Sequence, residues 1–144
     1  MSEKIRPFVK WAGGKGSLIP QLNNFYPYEL KNGIIERYIE PFVGGGAVLI
    51  DILQKYDVQE AYAFDINIDL INSYNVIKND VEDLITNLKQ METEYLQLEQ
   101  EERKNYFYNK RDEYNNYTLE ENEHSIQRAA QFIYLNRTCF NGLY

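Results

Sequence analysis

Three consecutive glycines, at 44–46, separate a short apolar stretch from an amphipathic helix in YIEPFVGGGAVLIDIL (38–53). A glycine-rich turn that follows a strand and opens a helix lets a ligand approach the backbone closely, because no Cβ atom is in the way. An acidic residue at the end of the next strand, about 20 residues on, typically accepts hydrogen bonds from ribose hydroxyls. Asp65 has that position, although it could alternatively cap the following helix. Together they predict a nucleoside site.

Other glycine-rich and acidic motifs fit their known templates poorly. The turn is not Gly-x-Gly-x-x-Gly, because Leu49 occupies the third glycine position, which favours a nucleoside without pyrophosphate. GGKGS (13–17) is not a P-loop, since Val9 stands where its first glycine is required. DINID (65–69) resembles the start of a calcium loop, but Leu70 replaces the required glycine. We therefore predict no phosphate loop and no calcium site.

The spacing of apolar residues predicts the strands and helices that position the glycine turn. The segment 34–41 predicts a strand, and the turn opens into a helix with apolar residues at helical spacing, 48, 49, 52 and 53. The segment 61–65 predicts a second strand. Strand, turn, helix and strand fit the size of a right-handed crossover unit with parallel strands, which predicts an α/β sheet. A helix that stops near Pro27 precedes it.

After Asp65 the apolar spacing becomes helical and stays so. Two helices follow, with Asp80 placed to cap the second, and then a polar, aromatic helix with a loop at 112–117. A strong apolar stripe at 126, 129, 130 and 133 predicts the last helix. The chain is therefore predicted to divide into an α/β portion, 1–66, and a helical portion, 67–144.

Composition bounds the class of protein. The 144 residues are 44% hydrophobic and 26% charged, which is ordinary for one globular domain or part of one. No apolar run approaches membrane-spanning length, and the N-terminus lacks the apolar core of a signal peptide. Cys139 is the single cysteine and cannot form an internal disulfide. We therefore expect a cytoplasmic protein. His124 has no partner cysteines, and no metal site is predicted.

The net charge of −7 argues at first against nucleic acid. The acidity is local, however, because segment 92–123 carries ten acidic residues against four basic ones. A solvated helix face explains that segment, and the charge therefore does not exclude a DNA partner.

Four motifs together resemble the Dam-type DNA adenine methyltransferases, in the family's order and over the whole chain: 7–22 (PFVKWAGGKGSLIPQL), 38–53, 63–80 (AFDINIDLINSYNVIKND) and 127–144 (QRAAQFIYLNRTCFNGLY). The resemblance implies a Rossmann-like S-adenosylmethionine-dependent methyltransferase fold, with an incomplete parallel-rich sheet in 1–66 and a truncated helical target-recognition portion in 67–144. It implies methyl transfer from S-adenosyl-L-methionine to N6 of adenine in double-stranded DNA, with a restriction-modification system and its endonuclease as the expected context.

The resemblance also assigns residue roles. Asp65 would accept hydrogen bonds from the ribose, Phe42 and Ile66 would flank the adenine, Lys15 would meet the methionine carboxylate and Glu40 the ammonium. The full set of implied cofactor contacts is Trp11, Gly13, Lys15, Glu40, Pro41, Phe42, Gly44, Gly46, Asp65 and Ile66.

The implied DNA contacts are Lys10, Arg137, Phe140 and Asn141. An apolar wedge at Phe140 makes physical sense, because the target adenine must leave the duplex and unstacking is costly. The alternative interpretation of Phe140 is a buried aromatic residue that ends a core helix.

The family's catalytic Asp-Pro-Pro-Tyr motif is absent, since the prolines stand at 7, 20, 27 and 41. We therefore predict no catalytic residue in this chain, a truncated sequence, and weak cofactor binding without turnover by the chain alone. A non-catalytic cofactor- or DNA-binding module beside a separate catalytic subunit is the alternative, and an in-frame Asp-Pro-Pro-Tyr downstream would decide against it. A dinucleotide-dependent oxidoreductase ranks last, because it leaves the first and last motifs unexplained.

Overall fold

The computed structural model describes residues 5–120, 124–139 and 142. The chain divides into two compact units, Met1–Ile66 and Asn67–Tyr144. The roles assigned to these two portions, cofactor binding and target recognition, stay predictions.

The first unit is an α/β unit built on two parallel strands. Strand β1 pairs with β2 in parallel, with Arg37 opposite Glu60 and Glu40 opposite Ala63, so the predicted parallel crossover is confirmed. Its elements in chain order are a 3-10 turn at Lys15–Leu18, α1 at Ile19–Phe25, α2 at Tyr28–Lys31, β1 at Arg37–Glu40, α3 at Ala47–Lys55 and β2 at Glu60–Ala63.

Both strands are shorter than predicted from the sequence. The amide of Ile34 donates to the carbonyl of Glu29 at 2.8 Å, and this bond to the end of α2 keeps Ile34 out of the sheet. Beyond the strands, Phe64 N–H donates to the Glu40 carbonyl at 2.8 Å and Val43 N–H to the Phe64 carbonyl at 2.9 Å. The two backbone segments that follow β1 and β2 therefore remain side by side up to the glycine turn.

The second unit consists of helices α4 at Ile68–Asn79, α5 at Val81–Leu96, α6 at Gln100–Asn116 and α7 at Ile126–Thr138. Helix α7 is its centre, because it is continuously buried from Arg128 to Asn136 and contacts each of the other three helices. Among the helices of the described ranges, none is long and apolar enough to cross a membrane.

Two local predictions for this unit are wrong. The predicted loop at 112–117 is helical as far as Asn116, because Tyr114 is buried and its hydroxyl donates to Asp69 Oδ2 at 2.7 Å. Asp80 stands at the N-cap of α5 without a capping bond, and its carboxylate lies 2.7 Å from Nε2 of His124 instead. Tertiary contacts thus override local preference at both positions.

A buried ion pair joins three helices of the second unit. Arg128 is 5% exposed, and its Nε donates to Asp69 Oδ1 at 2.7 Å while Nη2 donates to Oδ2 at 3.2 Å. Nη1 donates to the backbone carbonyls of Tyr114 and Tyr117. The guanidinium carbon also lies 3.5 Å from the centre of the Tyr114 ring. Arg128 therefore links α7 to α4 and to the end of α6.

Replacing Arg128 with alanine is expected to lower the free energy of unfolding by about 3 kcal/mol, because the partly buried Asp69 carboxylate would lose its cation and the carbonyls of Tyr114 and Tyr117 their donor. Urea denaturation followed by circular dichroism measures the change. Arg137→Ala, in the exposed last turn of the same helix, is the control and should stay within about 0.5 kcal/mol of wild type. Equal effects of the two substitutions would contradict the structural role of the pair.

Candidate functional site

A cavity of about 480 Å³ lies in the first unit, at the carboxyl ends of the two parallel strands. Its walls include the segment 11–17, the loop after β1 together with the start of α3 (42–48), and Asp65, which follows β2. Ligand sites in open parallel sheets lie outside this edge. The volume falls within the range of about 300–1,000 Å³ that is usual for small-molecule sites.

Most of the residues predicted to contact a cofactor line this one cavity: Trp11, Gly13, Lys15, Glu40, Phe42, Gly44, Gly46 and Asp65. They come from three separate segments of the sequence, 11–15, 40–46 and 65. The structure therefore brings together the side chains and bare backbone on which the sequence interpretation depends. Their contact with a cofactor stays a prediction.

Two predicted cofactor contacts lie elsewhere. Pro41 lines a neighbouring, more apolar depression alongside β1. Ile66 is 97% exposed and is not part of the cavity wall. Neither side chain borders the cavity in this arrangement.

The predicted DNA contacts are spread over the chain. Lys10 is exposed in the first unit, just before the cavity wall begins, and Arg137 is exposed in the last turn of α7. Phe140 and Asn141 lie outside the described residues. Their proposed roles stay predictions.

Gly44 lies directly against the side chain of Trp11. Its φ is +50°, and a Cβ atom built there would lie 2.8 Å from Cδ1 and 3.0 Å from Nε1 of Trp11. A side chain cannot be added at such distances unless the indole moves. The absence of a Cβ at Gly44 therefore allows the Trp11 ring to form a wall of the cavity against the loop.

Asp65 fixes the same loop from the other side. Its Oδ2 accepts a hydrogen bond of 3.0 Å from the Gly44 amide. The alternative role of Asp65 as a helix cap is taken by Asn67, whose side chain accepts from the Leu70 amide at 2.8 Å. The carboxylate of Asp65 thus connects the end of β2 to the glycine turn.

Glu40 is a buried carboxylate at the cavity. It ends β1, is 8% exposed, and accepts a hydrogen bond of 2.8 Å from the Tyr38 hydroxyl at Oε2. Burial raises the pKa of Glu40, whereas the Tyr38 hydroxyl, the charge of Lys15 and a backbone hydrogen bond with Leu49 act in the opposite direction. Burial and the bond to Glu40 also raise the pKa of Tyr38 well above its ordinary value.

Sequence reasoning missed Tyr38 as a supporting residue. A signal was available, because residues two apart on a strand point to the same face, and Tyr38 precedes Glu40 by two. It also treated Gly45 only as part of the turn. A Cβ atom on Gly45 would lie 3.2 Å from the Trp11 Cβ, so this glycine too accommodates the tryptophan.

The chain matches the sequence profile of the D12 class N6 adenine-specific DNA methyltransferases over residues 11–144, and it belongs to this family. It is 49% identical to the Type II methyltransferase M.MjaIII of Methanocaldococcus jannaschii over 141 residues, which are 98% of this chain and 48% of that relative. It is 38% identical to the DNA adenine methylase of Haemophilus influenzae over 97% of this chain and 43% of that protein. With the DNA adenine methylase of Escherichia coli the identity is 31%, over 98% of this chain and 44% of the relative.

The chain thus spans about half the length of these curated relatives. The predicted family membership is confirmed.

Gly44→Ala is expected to destabilise the protein by about 1–3 kcal/mol more than Gly13→Ala. Both glycines have positive φ, so both substitutions carry the strain of left-handed backbone, about 1–2 kcal/mol. Only at Gly44 does the new methyl group meet the Trp11 ring, whereas at Gly13 no atom lies within 4 Å of it. Chemical denaturation monitored by Trp11 fluorescence measures both values, and equal losses would show that the ring does not lie against Gly44.

Tyr38→Phe is expected to raise the pKa of Glu40 further, because the hydrogen bond that stabilises the ionised carboxylate is removed while burial remains. The side-chain carboxyl carbon of Glu40, followed by NMR against pH, measures the change. Tyr28→Phe, an exposed tyrosine in the same unit, is the control and should leave that titration unchanged. A fall in the Glu40 pKa in Tyr38→Phe would contradict the assigned bond.

Proposed function

We propose that this chain carries the S-adenosyl-L-methionine-binding half of a site-specific DNA methyltransferase with a Rossmann-like fold, which methylates N6 of adenine in double-stranded DNA. The observation that carries the proposal is the single cavity lined by Trp11, Lys15, Asp65 and the glycine loop, in a chain of the D12 class family. Bound S-adenosylmethionine supplies the methyl group. The chain's own residues bind and orient the cofactor.

The chemical groups of the cofactor match residues that line the cavity. A carboxylate can accept about four hydrogen bonds, which is enough for Asp65 to hold the loop and the two ribose hydroxyls. Phe42, 76% exposed at the cavity edge, offers a ring face to the adenine. Lys15 can pair with the methionine carboxylate, and Glu40 with the ammonium. The Trp11 ring nearby suits the cationic sulfonium.

The charge of the cavity favours a cationic nucleoside over a dinucleotide. The charged residues that line it are two carboxylates, Glu40 and Asp65, and one cation, Lys15. A pyrophosphate would bring two further negative charges towards the carboxylates. S-adenosylmethionine brings a sulfonium and an ammonium with a single carboxylate, and its charges complement those of the wall. A dinucleotide-dependent oxidoreductase is therefore the least favoured alternative.

The rest of the proposed enzyme would lie in a longer protein. Relatives are about twice as long as this chain, and the chain contains no Asp-Pro-Pro-Tyr stretch. The apolar side chains of Ile39, Tyr62 and Phe64, on or next to the two strands, are exposed within the described part of the first unit. Such a surface suits the interior of a larger Rossmann-like sheet, which would be covered by the remaining strands and helices.

The DNA would be bound by exposed cations and an aromatic wedge. Lys10 and Arg137 can neutralise backbone phosphates. Phe140 would insert into the base stack and Asn141 would lie near the bases, which would help the target adenine to leave the duplex. A cognate restriction endonuclease fits this proposal, because one relative is named a Type II methyltransferase.

The proposal is tested on the full-length protein that contains this chain, by calorimetric titration with S-adenosylmethionine. Asp65→Asn should weaken binding about tenfold or more, because the amide retains one acceptor for Gly44 but loses the charge that strengthens the ribose bonds. Asp57→Asn, an exposed aspartate of the same unit, is the matched control and should bind as wild type does. Nicotinamide dinucleotide should not bind.

The same preparations should transfer radioactive methyl groups to duplex DNA, with N6-methyladenine as the product after nucleoside digestion. Wild-type affinity in Asp65→Asn would refute the assigned cofactor site. Cofactor binding without methyl transfer would support the non-catalytic module.

A further inference from the structure

Tyr38 lies outside the cavity of the first unit but is bonded to one of its walls. Its side chain lines the apolar depression alongside β1 and is not among the described residues that border the cavity. Glu40 borders both, and the Tyr38 hydroxyl donates to Glu40 Oε2 at 2.8 Å. Tyr38 can therefore influence a ligand in the cavity through the Glu40 carboxylate.

The Glu40 carboxylate depends on its neighbours to stay ionised, because it is 8% exposed and burial disfavours the charge. Among the described residues, the groups that face it are the Tyr38 hydroxyl on the same strand, Lys15 in the 3-10 turn, Tyr26 at the end of α1 and the backbone of Leu49 in α3. Burial raises the pKa of this carboxyl group, and the bond from Tyr38 opposes the rise more strongly than Lys15 and Leu49 do. Lys15 is exposed and is the proposed partner of the ligand's own carboxylate, so the Tyr38 hydroxyl is the main support that a bound ligand leaves in place.

The same bond sets the orientation of the carboxylate. The last side-chain torsion of a glutamate is broad in itself, and a donor at Oε2 restricts it. A carboxylate can accept about four hydrogen bonds, of which the Tyr38 hydroxyl and the Leu49 backbone take one each. The remaining acceptor positions are available to a donor in the cavity, and an ionised carboxylate there favours a cationic donor.

We propose that Tyr38 is a positioning residue for the amino-acid end of the cofactor: its hydroxyl keeps Glu40 ionised and oriented, so that the cavity selects nucleosides that carry an ammonium group. This inference rests on the function proposed above. It adds that a residue outside the cavity sets both the preference for an ammonium and the pH at which that preference is lost.

The direction of the pH effect follows from the ionisation of Glu40. As the pH falls through the pKa of Glu40 the carboxylate is protonated, and the affinity for an ammonium ligand falls with it. Tyr38→Phe removes a bond that lowers this pKa, so the fall should begin at a higher pH in the variant. Between about pH 5 and 7 an α-ammonium group keeps its proton, so the change belongs to the protein.

The test measures binding to the full-length protein by calorimetry at pH 5, 6 and 7 with two ligands. One is S-adenosylmethionine. The other is 5′-methylthioadenosine, which has the same adenosine but neither the ammonium, the carboxylate nor the sulfonium. Asp65 faces the adenosine of both ligands in the proposed mode, so any titration of Asp65 affects both and cancels in the comparison.

Tyr62→Phe is the matched control for Tyr38→Phe. The Tyr62 hydroxyl donates to Glu60 Oε2 at 3.1 Å, so the control removes the same kind of bond between residues two apart on β2. Neither Tyr62 nor Glu60 is among the described residues that border the cavity. Glu40→Gln, alone and combined with Tyr38→Phe, shows whether Tyr38 acts through Glu40.

Tyr38→Phe should weaken S-adenosylmethionine binding about fivefold at pH 7 and more at pH 5, as expected for the loss of a hydrogen bond to a charged group. It should leave 5′-methylthioadenosine binding unchanged, which a general disturbance of the fold would not do. Tyr62→Phe should bind both ligands as wild type does. In the Glu40→Gln background the further substitution of Tyr38 should change S-adenosylmethionine affinity less than about twofold, because the carboxylate on which it acts is gone.

A wild-type pH profile in Tyr38→Phe, equal losses for the two ligands, or a full Tyr38→Phe effect in the Glu40→Gln background would each overturn the inference. The Asp65→Asn variant is measured on the same occasion. If it binds S-adenosylmethionine weakly while Tyr38→Phe matches wild type, this inference fails and the proposed function stands. If wild type does not bind S-adenosylmethionine, the proposed function itself fails.

Discussion

The packing of the Trp11 indole against the bare backbone of Gly44 is the contact on which the first unit depends. It requires glycine at 44, because a Cβ atom there would lie 2.8 Å from the ring. On the other side the Gly44 amide is held by Asp65 at 3.0 Å. One residue thus joins the N-terminal segment, the turn after β1 and the end of β2, and these three segments form the wall of one cavity.

The two units offer opposite electrostatic environments. In the first, Glu40 and Asp65 outnumber Lys15, which suits a cationic ligand without phosphate. In the second, Arg103 and Lys104 line a pocket whose described lining residues include no carboxylate. The proposed binding of a sulfonium nucleoside and of DNA would need both kinds of surface. The chain carries an acidic cavity in its first unit and a cationic pocket in its second, although its net charge is −7.

Much of the first unit could be predicted from the sequence, because its main features depend on residues that are close together in the chain. The glycine turn, the helical spacing of α3 and the position of Asp65 each follow from residues close together in the chain. Other features depend on contacts distant in sequence. The continuation of α6 through 112–117 rests on the bond of Tyr114 to Asp69, 45 residues away. The contact of Trp11 with Gly44, and the exposure of Ile66, likewise follow from tertiary packing that periodicity does not encode.

The most direct measurement is the nuclear Overhauser effect between the Trp11 indole and the Gly44 α-protons in solution. We expect strong cross-peaks from the indole Hδ1 and Hε1 to the Gly44 α-proton that points in the Cβ direction, together with a slowly exchanging Gly44 amide that is protected by its bond to Asp65. If these cross-peaks are absent from a folded sample, the ring does not lie on the glycine turn, and the cavity that unites the predicted residues does not exist.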